Sequence, residues 1–304
     1  MRSHFRFMSL ILCACTIAVS GVSTDASLIL ALTQNNQLLQ FDSSTPGTTS
    51  GPVTITGIGA GFRLVGIDAR PANNQIYGLA VSSNSSINRL YTLDRNTGVA
   101  SLANTLSAPI TGGSFGLDFN PVVDRLRVVS DSGQNYRINV VNGETFTDGN
   151  LAFAAGDANA NTTPGVVASA YSNSFAGATS TTLYGIDLAT QSLVIQNPPN
   201  VGTLTTVGSL NTLAFAEASF DIDGATNRGF AVLNGVEFST INLATGLATY
   251  VGDINANGNI IGIATISAVP EPTSILLLGI VGAVGFAARW RKRKIAINND
   301  RSIQ

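Results

Sequence analysis

The sequence predicts an all-β fold, specifically a five-bladed β-propeller in which strands from both chain ends close one blade. The first observation is a repeat of about fifty residues, in which a strand-like core ends in a turn. The core recurs in the segments 66–71, 116–121, 168–173, 218–223 and 262–266. The second observation is that short runs rich in Val, Leu, Ile and Thr follow the cores, separated by Gly, Asn and Asp. This pattern is typical of antiparallel strands, and no convincing amphipathic helix interrupts it.

Four strands per repeat of this length are typical of propeller blades. In the repeat that starts at residue 66, we expect a second strand over Gln75–Val81 and a third over Arg89–Asp94. The corresponding strands expected in later repeats are Arg125–Ser130, Thr182–Asp187, Leu204–Val207, Arg228–Leu233, Phe238–Leu243 and Leu247–Val251.

The phase of the repeat predicts how the propeller closes. The chain enters at a second strand, Leu28–Leu32, and passes through Leu38–Phe41 and Val53–Ile55 before its first innermost strand near Gly66. It ends on an innermost strand, Asn259–Ile266, which can complete the N-terminal blade and leave no exposed sheet edge. A β-sandwich or an open β-solenoid is the alternative, because both share the strand pattern without this closure.

Residues 1–26 are predicted to be a secretion signal. Arg2 and Arg6 give a positive start, and the apolar run over 7–19 is too short for a stable membrane span. Small residues then supply a cleavage site, so we expect 27–268 to be the exported domain. An uncleaved N-terminal anchor is the alternative.

The C-terminal segment has three parts in a fixed order. The first part is Val269, Pro270, Glu271 and Pro272. Its prolines hold the chain extended, and the apolar stretch 274–288 that follows would form a transmembrane helix of about 22 Å. The third part is a basic cluster of Arg289, Arg291, Lys292, Arg293 and Lys294. The positive-inside rule places this cluster and the tail 295–304 in the cytoplasm.

This combination resembles the PEP-CTERM sorting signal of Gram-negative bacteria, here over 269–294. The resemblance implies an exosortase-type processing enzyme as partner, and export across the inner membrane to the cell surface or beyond. The helix would then anchor the protein in the membrane only until processing. Proteins with this signal often accompany exopolysaccharide production. The tail after the basic cluster departs from the usual signal, and a plain C-terminal anchor is the alternative.

The exported domain also resembles a family of secreted bacterial proteins catalogued only as a domain of unknown function. The resemblance rests on Gly116–Ser130 and Gly133–Arg137 and covers about 28–266. It implies propeller-like repeats and export, but no activity.

Composition excludes several kinds of chemistry in the exported domain. Residues 27–270 contain no His, Cys or Lys. Ser-His-Asp and Cys-His catalysis, zinc, copper and haem sites, Schiff bases and disulfides are therefore excluded. We accordingly expect no cofactor and no enzyme activity. The same region carries fifteen acidic and eight basic residues, a net charge near −7, which argues against nucleic acid as a partner.

The densest charge lies over 118–137. The candidate ligand-binding residues there are Asp118, Asp124, Arg125, Arg127 and Arg137. Arg125 and Arg127 share one face of a predicted strand, and three guanidinium groups together require carboxylates or an anionic ligand. One interpretation is a pocket for an acidic sugar or another carboxylate ligand. The other is an internal lattice of ion pairs, with Asp118, Asp124 and Asp131 as the partners.

Asp68 and Asp118 occupy equivalent places on innermost strands, and either Asp221 or Asp223 matches them in a later repeat. Innermost strands line a propeller's channel, so these carboxylates could surround a ligand or cation. Alternatively they cap the turns that follow them.

Two loops, 157–161 and 253–258, alternate side-chain oxygens as a calcium loop does. Ala168 and Ala264 stand where the closing Glu should be, so we expect ordinary Asx-rich turns, with calcium as a weaker possibility.

These observations predict an exported binding or structural module of the cell surface or extracellular matrix, for exopolysaccharide or another surface component. The alternative is a glycan hydrolase that uses paired carboxylates. Its glutamates would come from Glu144, Glu217 and Glu237.

Overall fold

The computed structural model describes residues 26–82 and 87–266. Residues 1–25 and 267–304 lie outside this description, and with them lie the predicted signal peptide, sorting motif, transmembrane helix and tail. The described part of the chain contains strands and turns but no helix. Accordingly, none of these residues forms a helix able to cross a membrane.

The strands form five blades around a channel, which confirms the predicted fold. The N-terminal strands are β1 (Leu28–Thr33), β2 (Gln37–Asp42) and β3 (Val53–Thr54). Blade 1 contains β4 (Phe62–Arg70), β5 (Gln75–Ser82), β6 (Asn88–Leu93) and β7 (Ala100–Thr105). Blade 2 contains β8 (Phe115–Asn120), β9 (Arg125–Ser130), β10 (Asn135–Ile138) and β11 (Thr145–Thr147). Blade 3 contains β12 (Ala152–Phe153), β13 (Val166–Tyr171), β14 (Leu183–Asp187), β15 (Ser192–Gln196) and β16 (Thr203–Ser209). Blade 4 contains β17 (Ala218–Ile222), β18 (Gly229–Leu233), β19 (Glu237–Ile241) and β20 (Ala248–Asp253). Within blades 1 to 4, neighbouring strands are antiparallel except for the parallel pair β12–β16.

The fifth blade is closed by both chain ends, as the phase of the repeat predicts. Its last strand, β21 (Ile260–Ile266), lies beside β1, and the sheet continues through β2 to β3. The Gln34 N–H also donates to the Asn259 carbonyl at 2.8 Å. The end of the described chain is therefore tied to its beginning by main-chain hydrogen bonds.

Successive side chains of an innermost strand point alternately into the core between two blades and into the channel. Leu117 and Phe119 of β8 pack into the core shared with blade 1, where the rings of Phe119 and Tyr77 lie 5.3 Å apart. Asp118 lies on the opposite face of β8. This alternation places the apolar core between blades and leaves polar side chains along the channel.

Candidate functional site

The candidate residues fall into two groups in space. The arginine cleft is a cavity of about 410 Å³ lined by Asn120, Val123, Arg125, Arg127, Arg137, Tyr171, Pro198, Pro199 and Asn200. The channel triad consists of Asp68, Asp118 and Asp221, which lie on three innermost strands. Asp124 belongs to neither group.

Arg127 forms the floor of the arginine cleft. Its side chain is 2% exposed and is paired with Asp148, with Nη1 and Oδ2 2.6 Å apart. Nη1 also donates to Asn135 Oδ1 at 2.7 Å, and Nη2 donates to Asn200 Oδ1 at 2.7 Å. Arg127 is thus saturated by protein groups and holds the β15–β16 turn against blade 2.

Arg137 lies directly opposite Arg127 on the neighbouring strand. It shares Asp148, with Nε donating to Oδ2 at 2.7 Å and Nη2 to Oδ1 at 3.0 Å. The hydrogen bond to Asp148 raises the pKa of Arg137. Its guanidinium also lies 5.2 Å from the centre of the Phe146 ring. Two guanidiniums share one carboxylate here, so this part of the cleft keeps a net positive charge.

Arg125 lies at the rim and forms no ion pair within the described chain. Its Nη1 donates to the main-chain carbonyls of Asp124, at 2.9 Å, and Val123, at 3.3 Å. The neighbouring carboxylate of Asp124 turns away to Arg70, whose Nε donates to Oδ1 at 2.8 Å. That bond lowers the pKa of Asp124. Arg125 therefore presents its guanidinium to the cleft without a carboxylate bound to it in the described chain.

Ion pairs are present, but of the three carboxylates expected in the lattice only Asp124 forms one within the described chain, and its partner is Arg70. Asp148 is the carboxylate of two further pairs, and the sequence did not indicate it. Asp124 joins blade 2 to blade 1 through its own pair. Asp131 accepts the Gly113 N–H at 3.0 Å, and Asp118 lies in the channel.

The channel triad brings the three carboxyl groups within 4.8 Å of one another, all of them buried. Burial and the neighbouring carboxylate Asp221 raise the pKa of Asp68 well above its usual value. Burial and the carboxylates of Asp68 and Asp221 likewise raise the pKa of Asp118 well above its usual value. Burial raises the pKa of Asp221 to about 6. The triad is therefore a cluster of like charges that the fold holds together away from bulk water.

The alternative role, turn capping, belongs to other residues. Asn120 Oδ1 accepts the Val122 N–H at 2.9 Å in the β8–β9 turn. Asp223 Oδ1 accepts the Thr226 N–H at 2.8 Å in the β17–β18 turn. The triad member from this repeat is consequently Asp221 rather than Asp223.

In the two calcium-like loops, the aspartate carboxylates accept hydrogen bonds from neighbouring protein groups. Asp157 accepts the main-chain N–H groups of Asn159, at 2.9 Å, and Thr206, at 2.6 Å. Asp253 accepts the Tyr250 hydroxyl at 2.9 Å. These carboxylates act within ordinary turns and strand contacts.

Glu217 lies at the end of the channel where the innermost strands begin. It lines a cavity of about 320 Å³ together with Arg63, Gln34 and Ser114. Asn259 Nδ2 donates a short hydrogen bond to Glu217. Glu144 is exposed at the outer edge of blade 2, whereas Glu237 is half-buried at the start of β19.

Comparisons with solved structures give matches at low identity. A chain of a nidogen/laminin complex is 11% identical, with 80% of this chain and 98% of that chain covered and a TM-score of 0.43. A protein of unknown function from Bacteroides thetaiotaomicron VPI-5482 is 14% identical, with 77% and 63% covered and a TM-score of 0.44. An auxiliary nutrient binding protein from Bacteroides ovatus ATCC 8483 is 14% identical, with 66% and 55% covered and a TM-score of 0.40. No curated protein sequence matches this chain.

Two family models match the sequence. The PEP-CTERM protein-sorting motif matches residues 268–293. The motif marks an exported protein of the cell envelope or surface and is consistent with processing by exosortase. The second model is the Domain of unknown function (DUF4394), which matches residues 37–264 and so covers most of the propeller. The chain belongs to this DUF4394 family.

Proposed function

We propose that this protein is an exported, non-catalytic binding module whose arginine cleft holds a carboxylate-bearing ligand. The observation that carries the proposal is Arg125, a guanidinium in a cleft of about 410 Å³ with no carboxylate paired to it in the described chain. A planar guanidinium binds a carboxylate through two parallel hydrogen bonds, which gives both charge and orientation.

An acidic sugar unit fits the other walls of the cleft. Pro198 and Pro199 supply apolar surface, while Asn120 and Asn200 supply amides that can bond to hydroxyl groups. The fixed floor of Arg127 and Asp148 keeps these walls in place. An acidic exopolysaccharide is therefore the class of ligand that we favour, in line with the surface destination of the chain.

Isothermal titration of the full chain with polygalacturonate tests this proposal, because every sugar unit of that polymer carries a carboxylate. Methyl-esterified polygalacturonate provides the neutral control and is expected not to bind. Arg125→Gln should weaken binding about tenfold to a hundredfold, the range for loss of a charge-assisted hydrogen bond. Arg95→Gln makes the same charge change in a turn of blade 1 and should bind as the parent does. Equal binding by Arg125→Gln and the parent would refute the role of the cleft.

The second candidate function is carboxylate-dependent glycan hydrolysis at the other end of the channel. Glu217 and Arg63 line the cavity of about 320 Å³ there, and the second carboxylate of a catalytic pair would have to come from outside that lining. An assay for newly released reducing ends separates the two functions. Turnover that Glu217→Gln abolishes would establish hydrolysis and overturn a purely binding role.

For the tail, we propose transient anchoring in the inner membrane of a Gram-negative bacterium before exosortase-type cleavage. The matched sorting motif supports this proposal. Intact mass spectrometry of the protein recovered from its native cells should locate the mature C-terminus near Pro272. A mature protein that ends at Gln304 would contradict it.

A further inference from the structure

We propose that the channel triad of Asp68, Asp118 and Asp221 is a binding site for a divalent cation, with Ca²⁺ as the ion it fits best. The three carboxyl groups come from β4, β8 and β17, and each residue is at most 4% exposed. This site is independent of the arginine cleft and would serve to lock the blades at their common centre.

The main-chain hydrogen bonds to the triad leave one carboxylate oxygen without a donor. All five innermost strands direct one main-chain N–H to these carboxylates, and the donors are Ala69, Phe119, Tyr171, Ile222 and Thr265. Three carboxylates offer six oxygens, so five donors cannot engage each of them. The strands without an acid in the ring carry Ala170 and Ala264, which precede their N–H donors in the same way.

The remaining oxygen is Oδ1 of Asp118. Asp68 and Asp221 each accept the N–H of the residue that follows them, at 2.6 Å in both cases. Asp118 cannot do so, because the Phe119 N–H already donates to Asp68 at 2.7 Å. Asp118 Oδ1 is buried without a hydrogen-bond partner, although the carboxyl group lies within hydrogen-bonding reach of Asp221. A buried acceptor directed into a cluster of carboxylates requires a positive partner, which is either a cation or a proton shared with Asp221.

No side chain of the described residues supplies that positive charge. The three ion pairs found there are Arg70–Asp124, Arg127–Asp148 and Arg137–Asp148, all outside the triad. The charges that act on Asp68 and Asp118 are those of the other triad members. Three carboxylates and one divalent ion leave a net charge of −1, which five N–H dipoles can stabilise.

The ligand set indicates which cation would bind. Carboxylate oxygens without nitrogen or sulfur favour a hard ion such as Ca²⁺ or Mg²⁺. Oxygens no more than 4.8 Å apart can share one ion at about the 2.3–2.6 Å distance of Ca–O bonds. Next along the innermost strands, at the level of Gly66 and Gly116, lies a cavity of about 20 Å³ lined by Ser169 and Ser219, whose buried hydroxyls have no partner. This space accommodates one water-sized molecule.

Metal analysis and thermal unfolding of the full chain test the proposal. Protein purified without chelator from cells grown with CaCl2 should contain one Ca²⁺ per chain by plasma mass spectrometry. After dialysis against EDTA, CaCl2 at a hundredfold excess over its dissociation constant should raise the melting temperature by about 5–10 °C. A chain that carries no ion and shows no shift with CaCl2 or MgCl2 would overturn the proposal, because protons alone would then neutralise the triad.

Asp118→Asn is the matched variant, since its amide can donate to Asp221 and removes the surplus charge. It should contain no Ca²⁺ and lose the CaCl2 shift, while its melting temperature in EDTA equals or exceeds that of the parent. Asp223→Asn, a turn residue two positions after Asp221, should keep one ion and the full shift. Retention of the ion by Asp118→Asn would place the binding elsewhere and refute the site.

Discussion

Arginine side chains perform different tasks within a few ångströms of one another in this protein. Arg127 is almost fully buried and saturated by Asp148, Asn135 and Asn200, so its role is structural. Arg125, two residues earlier on the same strand, has only main-chain carbonyls as partners. Arg127 is therefore part of the floor of the cleft because it is buried and paired, whereas Arg125 is the proposed binding group because its guanidinium is accessible at the rim.

Removal of the Asp148 charge should destabilise the protein strongly. Asp148→Asn leaves the 2% exposed guanidinium of Arg127 without its counter-charge, and we expect a loss of about 3–5 kcal/mol in the free energy of unfolding. Urea denaturation followed by circular dichroism provides the measurement.

Asp124→Asn is the matched control. It breaks the Arg70–Asp124 pair, in which the Asp124 side chain is 37% exposed, and should cost at most about 1 kcal/mol. Asn also tolerates the left-handed backbone of residue 124, where φ is 53°. Similar losses for the two variants would show that burial does not decide the strength of these pairs.

The sequence predicts part of this residue-level picture. Strand alternation places Arg125 and Arg127 on one face, and the pairing of the next strand places Arg137 beside Arg127. Asp148 could not be found in this way, because it lies beyond the short strand β11, where no periodicity relates it to Arg127. Asn200 comes from the next blade, 73 residues from Arg127, and such contacts depend on how blades pack.

Every innermost strand carries a small residue two positions before the level of the triad, where three strands have an Asp and two have Ala170 and Ala264. The small residues are Gly66, Gly116, Ala168, Ser219 and Gly262. At Gly116, an added Cβ would lie 2.6 Å from the Ser169 nitrogen and 2.7 Å from the Ala168 carbonyl carbon. Main-chain atoms cannot move aside as a side chain can, so this position fixes how closely blades 2 and 3 approach.

Gly116→Ala should therefore destabilise the protein by about 1–3 kcal/mol through overpacking between the two innermost strands. Gly51→Ala adds the same methyl group in open space and should be neutral or slightly stabilising. Thermal unfolding of both variants provides the comparison. Equal melting temperatures would show that the blades can separate without cost.

The strand pattern itself was predictable because it repeats. Each innermost strand and most second and third strands begin or end within a few residues of the predicted position. β12 was not predicted, since two residues carry no periodicity, and its parallel pairing with β16 is set by packing. The sequence did not decide whether Asp221 or Asp223 corresponds to Asp68 and Asp118, because the two residues lie two positions apart beside the same turn.

At the scale of the whole molecule, the five blades meet at a cluster of like charges. Each blade contributes one main-chain N–H, and three blades also contribute a carboxylate. The contacts among all five blades therefore depend on the charge state of these three carboxyl groups. Their raised pKa values mean that these three groups, free of divalent ions, bind more protons in the folded chain than in the unfolded chain above about pH 4.

The stability of the metal-free protein should consequently fall as the pH rises from about 5 to 7. The contribution of the triad is fully present below the unfolded pKa of 3.8 and is lost as the pH passes the folded value, about 6 for Asp221. Carboxylates with lowered pKa values, such as Asp124, act in the opposite direction but at lower pH. Urea midpoints measured in EDTA across this range provide the test, and Asp118→Asn should flatten the profile. A midpoint that rises between pH 5 and 7 would contradict the like-charge account.

Hydrogen–deuterium exchange of the full chain, with and without an oligogalacturonate, can locate a carboxylate ligand at the arginine cleft. Binding there should slow exchange in 120–127 and 197–200, and Arg125→Gln should lose this protection. Protection confined to 34–36, 113–115 and 217–218 at the other end of the channel, or no protection in any segment, would contradict binding at the arginine cleft.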